Sequence, residues 1–465
     1  MAQANFYQVL SFHVILGLAS TITPFALIGW FYLVLFQFIL QDRKTQAITM
    51  PYLLLYILPI ELLGRMSEAY PYIPTEMGKY LSILLLLYAT SALGGPIKKT
   101  NWAAWAMLLL SLPSLLLVPF TYYSWRFEVT YNYLVILTLC MYTIYFARQR
   151  FYKEEIFGMI KIAVAGIGAI LVYSIIKAPQ IDPSAFELAS STEFTGGFGA
   201  NQVSTVLGFG IGIVIFSWLF EIKFTSAIVM MSFLALALLW SLFSFSRGGV
   251  ISSILALVGA LVISANGRQK IFKKGRFLFI GLGATAVFFI ANDLTGGQLL
   301  LRYQGETAGT LAGHKEKNLD YITSNRSVIV ANDFEMWMDH PLFGVGPGQS
   351  KLRREDYGLE PVAPHVELTR LLAEHGLFGL IIGLIWLGIP LFRVSNEKDS
   401  IARSFITFLF IVAFLSTMHS AMRTTLSPLA FGLACARYRF VGRAVLLRYY
   451  EKKRAAKLKV QLVES

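Results

Sequence analysis

The 465 residues are 56% hydrophobic and only 14% charged, with a mean hydropathy of +0.60. No soluble domain of this length sustains that balance, because too little polar surface remains to face water. The net charge of +13 would suit a nucleic acid, but the lysines and arginines sit in short connectors between apolar runs, where they act as topology signals, so nucleic-acid binding is excluded.

Apolar runs of about 16 to 22 residues recur along the chain, the length that crosses a hydrocarbon core as helix, whereas barrel strands would alternate over about 10 residues. The expected fold is all-α, a polytopic membrane helix bundle of about 12–14 transmembrane helices with one large extracytoplasmic helical loop. Spans are expected near 7–20, 23–40, 50–66, 79–94, 102–119, 130–147, 155–177, 203–220, 224–245, 248–264, 276–292, 376–393, 401–420 and 424–441. The N-terminal residues lack the basic stretch of a cleaved signal, so the first run reads as a retained span. Its junction with the second, through Thr21 and Pro24, allows a tight hairpin or one long broken span. Cys140 and Cys435 fall inside expected spans far apart in sequence, which supports neither a disulfide framework nor a metal motif.

Connectors set the orientation, because lysine and arginine are retained on the cytoplasmic side. Arg43/Lys44, Lys98/Lys99, Arg148/Arg150/Lys153, the run from Arg268 to Arg276, Arg393/Lys398/Arg403 and the tail from Arg437 to Lys459 are all basic and alternate with poorer connectors. This divides the chain into an N-terminal transmembrane bundle (1–292), an extracytoplasmic loop expected to be catalytic (293–375), C-terminal transmembrane helices (376–441) and a basic cytoplasmic tail (442–465). Almost every other arginine then falls on the outer face: Arg65, Arg247, Arg302, Arg326 and Arg423. An arginine at a span end costs up to roughly 3 kcal/mol if held in hydrocarbon, and one alone is an ordinary topological anchor. Five on one face suggest a lined cavity for an anion.

The outer loop is polar in a chain that is mostly apolar. Its stretch 339–376, DHPLFGVGPGQSKLRREDYGLEPVAPHVELTRLLAEHG, holds His340, His365 and His375, three of the six histidines. Within 324–340, Val330, Phe334 and Trp337 recur at helical spacing, with Ser324 or Asn325 as cap, Pro341 as stop and Arg326 on the same stripe. That face reads as resting on the bundle or the membrane surface. A second helix is expected from about Pro364, with His365, Thr369 and Leu372 on one face before Gly376 leads into the next span.

Gly344, Gly346 and Gly348 in FGVGPGQ form a tight turn that could present N–H groups to phosphate, although no GK[ST] follows and a purely structural turn accounts for the pattern as well. In SFSRGG (244–249), Gly248 and Gly249 permit a turn between spans and Arg247 points into the bundle or the interface. His340, His365 and His375 are equally eligible bases on chemistry alone, and position at a helix start favours His365. No HExxH, paired cysteines or carboxylates with metal-ligand spacing occur, so no metal and no cofactor are expected.

The order of SRGG (246–249), an arginine opening a loop helix (Arg326), DHPLFGVGPG (339–348) and PHVELTRLLAEHGLFGL (364–380) resembles the O-antigen ligase and O-antigen polymerase superfamily of bacterial envelopes. Asn201, in GFGANQ, also resembles a family position, and the likeness covers about 198–441. The resemblance implies a metal-independent inverting glycosyltransferase of the inner membrane, with its active site on the periplasmic face. Such an enzyme moves a glycan from undecaprenyl pyrophosphate to an acceptor hydroxyl, on lipid A-core for a ligase, on a growing glycan for a repeat-unit polymerase or on a protein for an O-oligosaccharyltransferase. It implies His365 as catalytic base and Arg247, Arg326, Arg302 and Arg423 as pyrophosphate ligands, with Asn201, Glu367, His340 and Gly346 as further candidates. The family commonly has an aromatic residue or asparagine after the histidine, where this chain has Val366 and Glu367.

A glycan-lipid flippase or transporter would also combine many helices with buried cations. Such proteins place binding groups near the bilayer midplane and often carry repeats. Here the charges gather at one face and no repeat is seen, which favours chemistry at an interface.

Overall fold

The computed structural model describes residues 5–93, 99–121, 123–264, 275–314, 326–362, 364, 366–419 and 422–442. The described chain is almost entirely helical. Helices α1 (Phe6–Ile22) and α2 (Phe25–Ile39) are separate. Thr23 is extended, at φ −152° and ψ 135°, and Pro24 removes a donor there, so the first two apolar runs form a hairpin. They are followed by α3 (Arg43–Met66), α4 (Met77–Ala92), α5 (Lys99–Leu110), α6 (Thr130–Phe146), α7 (Lys153–Lys177), α8 (Ala200–Leu219), α9 (Ala227–Phe243), α10 (Arg247–Ile263) and α11 (Arg276–Leu294). A turn of π-helix, Ser124–Val129, runs straight into α6.

Short helices α12 (Gln298–Tyr303) and α13 (Ala308–Leu311), then α14 (Arg326–Asp339) and α15 (Gln349–Leu352), build the large segment between spans. The chain ends in α16 (Glu367–Asn396), α17 (Ser400–His419) and α18 (Leu426–Cys435). Among the described residues, seven helices are long and apolar enough to cross a membrane, and seven shorter apolar helices accompany them. This is a multi-pass membrane protein.

Burial separates the centre of the bundle from its rim. In α3, α7 and α8 about four-fifths of the apolar window is buried inside the protein, whereas in α11 it is 6%. Helix α11 thus offers its length to lipid. Close glycine contacts draw the central helices together. A Cβ on Gly17 of α1 would collide with the backbone of Ala169 in α7, and one on Gly249 of α10 would collide with the carbonyl of Ser204 in α8.

The two ends of the bundle differ in chemistry. At one, a parallel pair of short strands, β1 (Arg150–Tyr152) and β2 (Arg437–Arg439), matches Arg150 with Arg437. Arg393 donates to the Ala436 carbonyl at 3.1 Å, and Glu397 pairs with Arg393 and Arg439 at 2.9 and 3.2 Å. Three of the basic connectors therefore meet at this end. Arg65, Arg247, Arg302, Arg326 and Arg423 lie at the opposite helix ends.

Two local expectations are corrected. The break before α10 is made by Ser244 to Ser246, with Phe245 at φ 54°, and the two glycines of SRGG already belong to α10. Their lack of a side chain serves packing instead, since a Cβ on Gly248 would strike the His419 ring. In α14 the buried face is Ile329, Asn332, Asp333 and Met336, while Phe334 is exposed. Asp333 pulls that face inward, because its carboxylate takes Arg354 at 2.7 Å and the Thr369 hydroxyl at 2.7 Å. A buried carboxylate without such partners would be costly.

Candidate active site

Three arginines from three elements meet at the outer end of the bundle. Arg247 opens α10, Arg302 closes α12 and Arg326 opens α14, and all three line a cavity of about 170 Å³ with Asn201, Ser190 and Ser246. Their positions follow from packing already described. The close approach of Gly249 to Ser204 brings the start of α10 beside the start of α8, and Ser204 Oγ donates to the Ser246 carbonyl at 2.9 Å. Ser246 Oγ in turn donates to Asn201 Oδ1 at 2.7 Å, which leaves the Asn201 amide nitrogen as the donor end. Arg247 reaches the Arg302 carbonyl at 3.1 Å and Arg326 reaches the His419 carbonyl at 3.2 Å. Helix α14, which carries Arg326, is docked onto α16 through Asp333 and Thr369.

Among the described residues, no carboxylate lines this cavity. Burial, and then the neighbouring charges of Arg247 and Arg326, push the Arg302 guanidinium down to about 10. Arg326 is lowered too, first by burial and then by Arg247 and Arg423. Arginine keeps its charge at neutral pH. The Nε atoms of Arg302 and Arg326 are buried without a protein acceptor among the described residues. Like charges confined in this way are relieved by a bound anion, and planar guanidinium forks match phosphate oxygens in pairs.

A larger cavity of about 620 Å³ adjoins it across the start of α8, where Phe198 and Gln202 face the larger space and Asn201 the smaller. Its cations are mostly paired. Lys79 is bound to Glu76, Lys351 to Glu128 at 3.4 Å, and Arg370 to Glu367 and Glu374 at 2.6 and 2.7 Å. Arg65 is enclosed by the Glu61 carboxylate, the Thr75 carbonyl at 2.8 Å, Gln202 at 2.8 Å and the Arg423 carbonyl at 2.9 Å. Arg423 makes no ion pair with a described residue.

The structure therefore sorts the candidates. Arg247, Arg302, Arg326 and Asn201 come together, whereas Arg423 lines the larger cavity and Arg65 is a brace. Gly346 is committed to the fold, since its N–H donates to the Glu374 carbonyl at 3.0 Å, as the N–H of Val345 does to Ala373 at 2.8 Å. Those bonds tie the glycine turn to α16 and take up the donors that phosphate would need.

Among the histidines, His340 approaches Arg353 at 3.3 Å. His375 is fully buried, with Nδ1 beside the Ser114 hydroxyl. Neither lines either cavity. His365 lies outside the described residues, but Pro364 and Glu367 on either side of it line the larger cavity. The helix there starts at Glu367, capped by Val366 at φ −117°, later than the spacing suggested. What favours His365 is thus this flanking pair and not a helix start. Glu367 is held by Arg370 and by the Met422 amide at 3.0 Å, so it shapes the wall.

Sequence reasoning passed over Glu61 and His419. Glu61 accepts from the Thr425 amide at 2.9 Å and the Thr425 hydroxyl at 2.7 Å, fixing the start of α18. An acidic residue inside an apolar span was the available signal. His419 touches Gly248 and accepts or donates at Thr205 Oγ1, 3.0 Å away.

Comparison with curated proteins finds no match to this chain. A family model described as O-Antigen ligase matches residues 233–384. That stretch runs from within α9 into α16 and includes Arg247, Arg302, Arg326 and position 365, so the part of the chain that supplies the three arginines is similar to the O-antigen ligase family.

Proposed function

We propose that the chain transfers a glycan from undecaprenyl pyrophosphate to an acceptor hydroxyl, on lipid A-core, as an O-antigen ligase of the bacterial inner membrane. The observation that carries this reading is the meeting of Arg247, Arg302 and Arg326, from three different helices, around a cavity with no carboxylate among the described residues. A pyrophosphate brings two adjacent anionic groups, which suits several guanidinium forks in a partly dehydrated site.

The chemistry asks little more of the protein. Pyrophosphate is a good leaving group, so the site has to orient the acceptor, remove its proton and hold the charge that develops as the anomeric C–O bond breaks. His365 takes the proton of the acceptor hydroxyl, the hydroxyl oxygen forms the new bond at the anomeric carbon, and the electron pair of the broken bond leaves on the pyrophosphate against the arginines. Direct displacement inverts the anomeric configuration. The guanidinium charges do the work a divalent cation would do, so the reaction runs without metal.

In a bacterial strain that has lost the chain, the lipopolysaccharide gel should show core with no O-antigen at all. Core bearing a single repeat would assign a polymerase instead, and an unchanged ladder would contradict both. The arginine-rich end is proposed to face the periplasm, because the basic connectors gather at the other end. Alkaline phosphatase fused near Gly348 should then be active and fused after Lys274 inactive; the reverse pattern overturns the orientation and the mechanism with it.

A further inference from the structure

The larger cavity has a wall that the transfer chemistry does not use. Tyr123, Phe127 and Tyr131 follow one another at four-residue steps through the π-helical turn into α6, with ring centroids 5.4 and 6.4 Å apart. All three line the cavity and all three are exposed. They lie outside the segment matched by the family model. Phe198, two residues before α8, also lines the cavity.

Charge separates this cavity from its neighbour. The smaller one holds three arginines and, among the described residues, no carboxylate. In the larger one, Lys79, Lys351 and Arg370 are each already matched by a carboxylate of the same wall. Of the cations in this wall only Arg423 has no ion pair with a described residue, so a phosphate or uronate would have to break such pairs to gain any other, and would stand beside Glu76 and Glu128 while doing so. An uncharged sugar meets no such cost. Its C–H faces stack on the aromatic rings, and its hydroxyls bond to carboxylates and ammonium groups that are partly exposed.

Position supplies the direction of transfer. Pro364 and Glu367, described residues on either side of position 365 in the sequence, line the larger cavity, and the base proposed above acts on the acceptor. The pyrophosphate belongs with the arginines on the other side of Asn201. Resting on the glycan-transfer reading above, we propose that the larger cavity is the acceptor subsite and that it takes an uncharged, hydroxyl-rich glycan end, stacked on Tyr123, Phe127 and Tyr131.

The test uses the full-length chain in lipid nanodiscs with a saturating pyrophosphate-linked donor. Two acceptors are compared, a neutral oligosaccharide and the same oligosaccharide with a phosphate on its terminal sugar. The neutral one should have a KM about 10-fold lower, and Phe127→Ala and Tyr131→Ala should each raise that KM about 10-fold with donor affinity retained, which also shows that the variants fold. A lower KM for the phosphorylated acceptor would overturn the proposal. So would an unchanged acceptor KM in both alanine variants, which would make the rings membrane-interface anchors only. Donor affinity measured in Arg326→Ala keeps the two readings apart. Its loss alongside either overturning result leaves glycan transfer standing and removes only the acceptor assignment, whereas its retention removes glycan transfer itself.

Discussion

Replacing His365 with alanine should lower the rate of glycan transfer about 10²-fold or more while donor affinity is largely kept, because general-base help is worth on the order of 10²- to 10⁴-fold and acts on the acceptor. In the wild type the rate should rise with pH through a single ionisation, since only the neutral ring can take a proton. That limb should be missing from the variant, which would have no group titrating in its place. Stopped assays across pH, with donor binding measured on the same preparations, check both parts. Near wild-type turnover would move the role elsewhere. His340 and His375 would be poor heirs, for one is engaged with Arg353 and the other is sealed in the protein.

Removing an arginine of the smaller cavity should act on the other substrate. Arg247→Ala and Arg326→Ala are each expected to weaken donor affinity about 10- to 100-fold, the range for losing a hydrogen bond to a charged group. Arg326→Lys should recover only part of this, since an ammonium is a point charge and cannot reproduce the paired geometry of the fork. Arg302 is the most confined of the three, held down to about 10 by burial and by its two neighbours. Binding of the pyrophosphate donor should therefore weaken as the pH approaches 10, where this guanidinium begins to lose its proton. Titration of a labelled donor into the purified proteins measures these effects directly. Full affinity in both alanine variants would remove the anion site.

The bundle was legible because each span is a long apolar run bounded by polar or basic residues, a signal that needs no tertiary context. The same alternation placed the outer arginines at one end. It could not say which of them share a cavity, because topology fixes depth along the helix axis and leaves lateral position open. Arg65 shows the difference: in sequence it looks like Arg247, but Glu61 one helical turn away, Gln202 from α8 and the Arg423 carbonyl convert it into a brace.

The glycine motifs misled for a related reason. Glycine marks both turns and close contacts, and only the packing of α8 against α10 reveals that Gly248 and Gly249 serve the second purpose. In the same way, the N–H groups of Val345 and Gly346 were free on paper and are spent on carbonyls of α16 in the fold. The buried face of α14 was not legible because its strongest attachment, Asp333 with Arg354 and Thr369, is polar and leaves no mark in an apolar stripe.

We propose that one end of this bundle divides the work between an arginine pocket that holds the pyrophosphate and a histidine that deprotonates the acceptor. Single-turnover transfer tests it most directly, with the purified full-length chain, a pyrophosphate-linked donor and EDTA present throughout. The wild type should form an inverted glycosidic linkage and release the lipid pyrophosphate. Arg326→Ala should be restored toward the wild-type rate by excess donor, and His365→Ala should stay slow at any donor concentration. A requirement for a divalent cation, retention of configuration, or a His365→Ala defect cured by more donor would contradict the account.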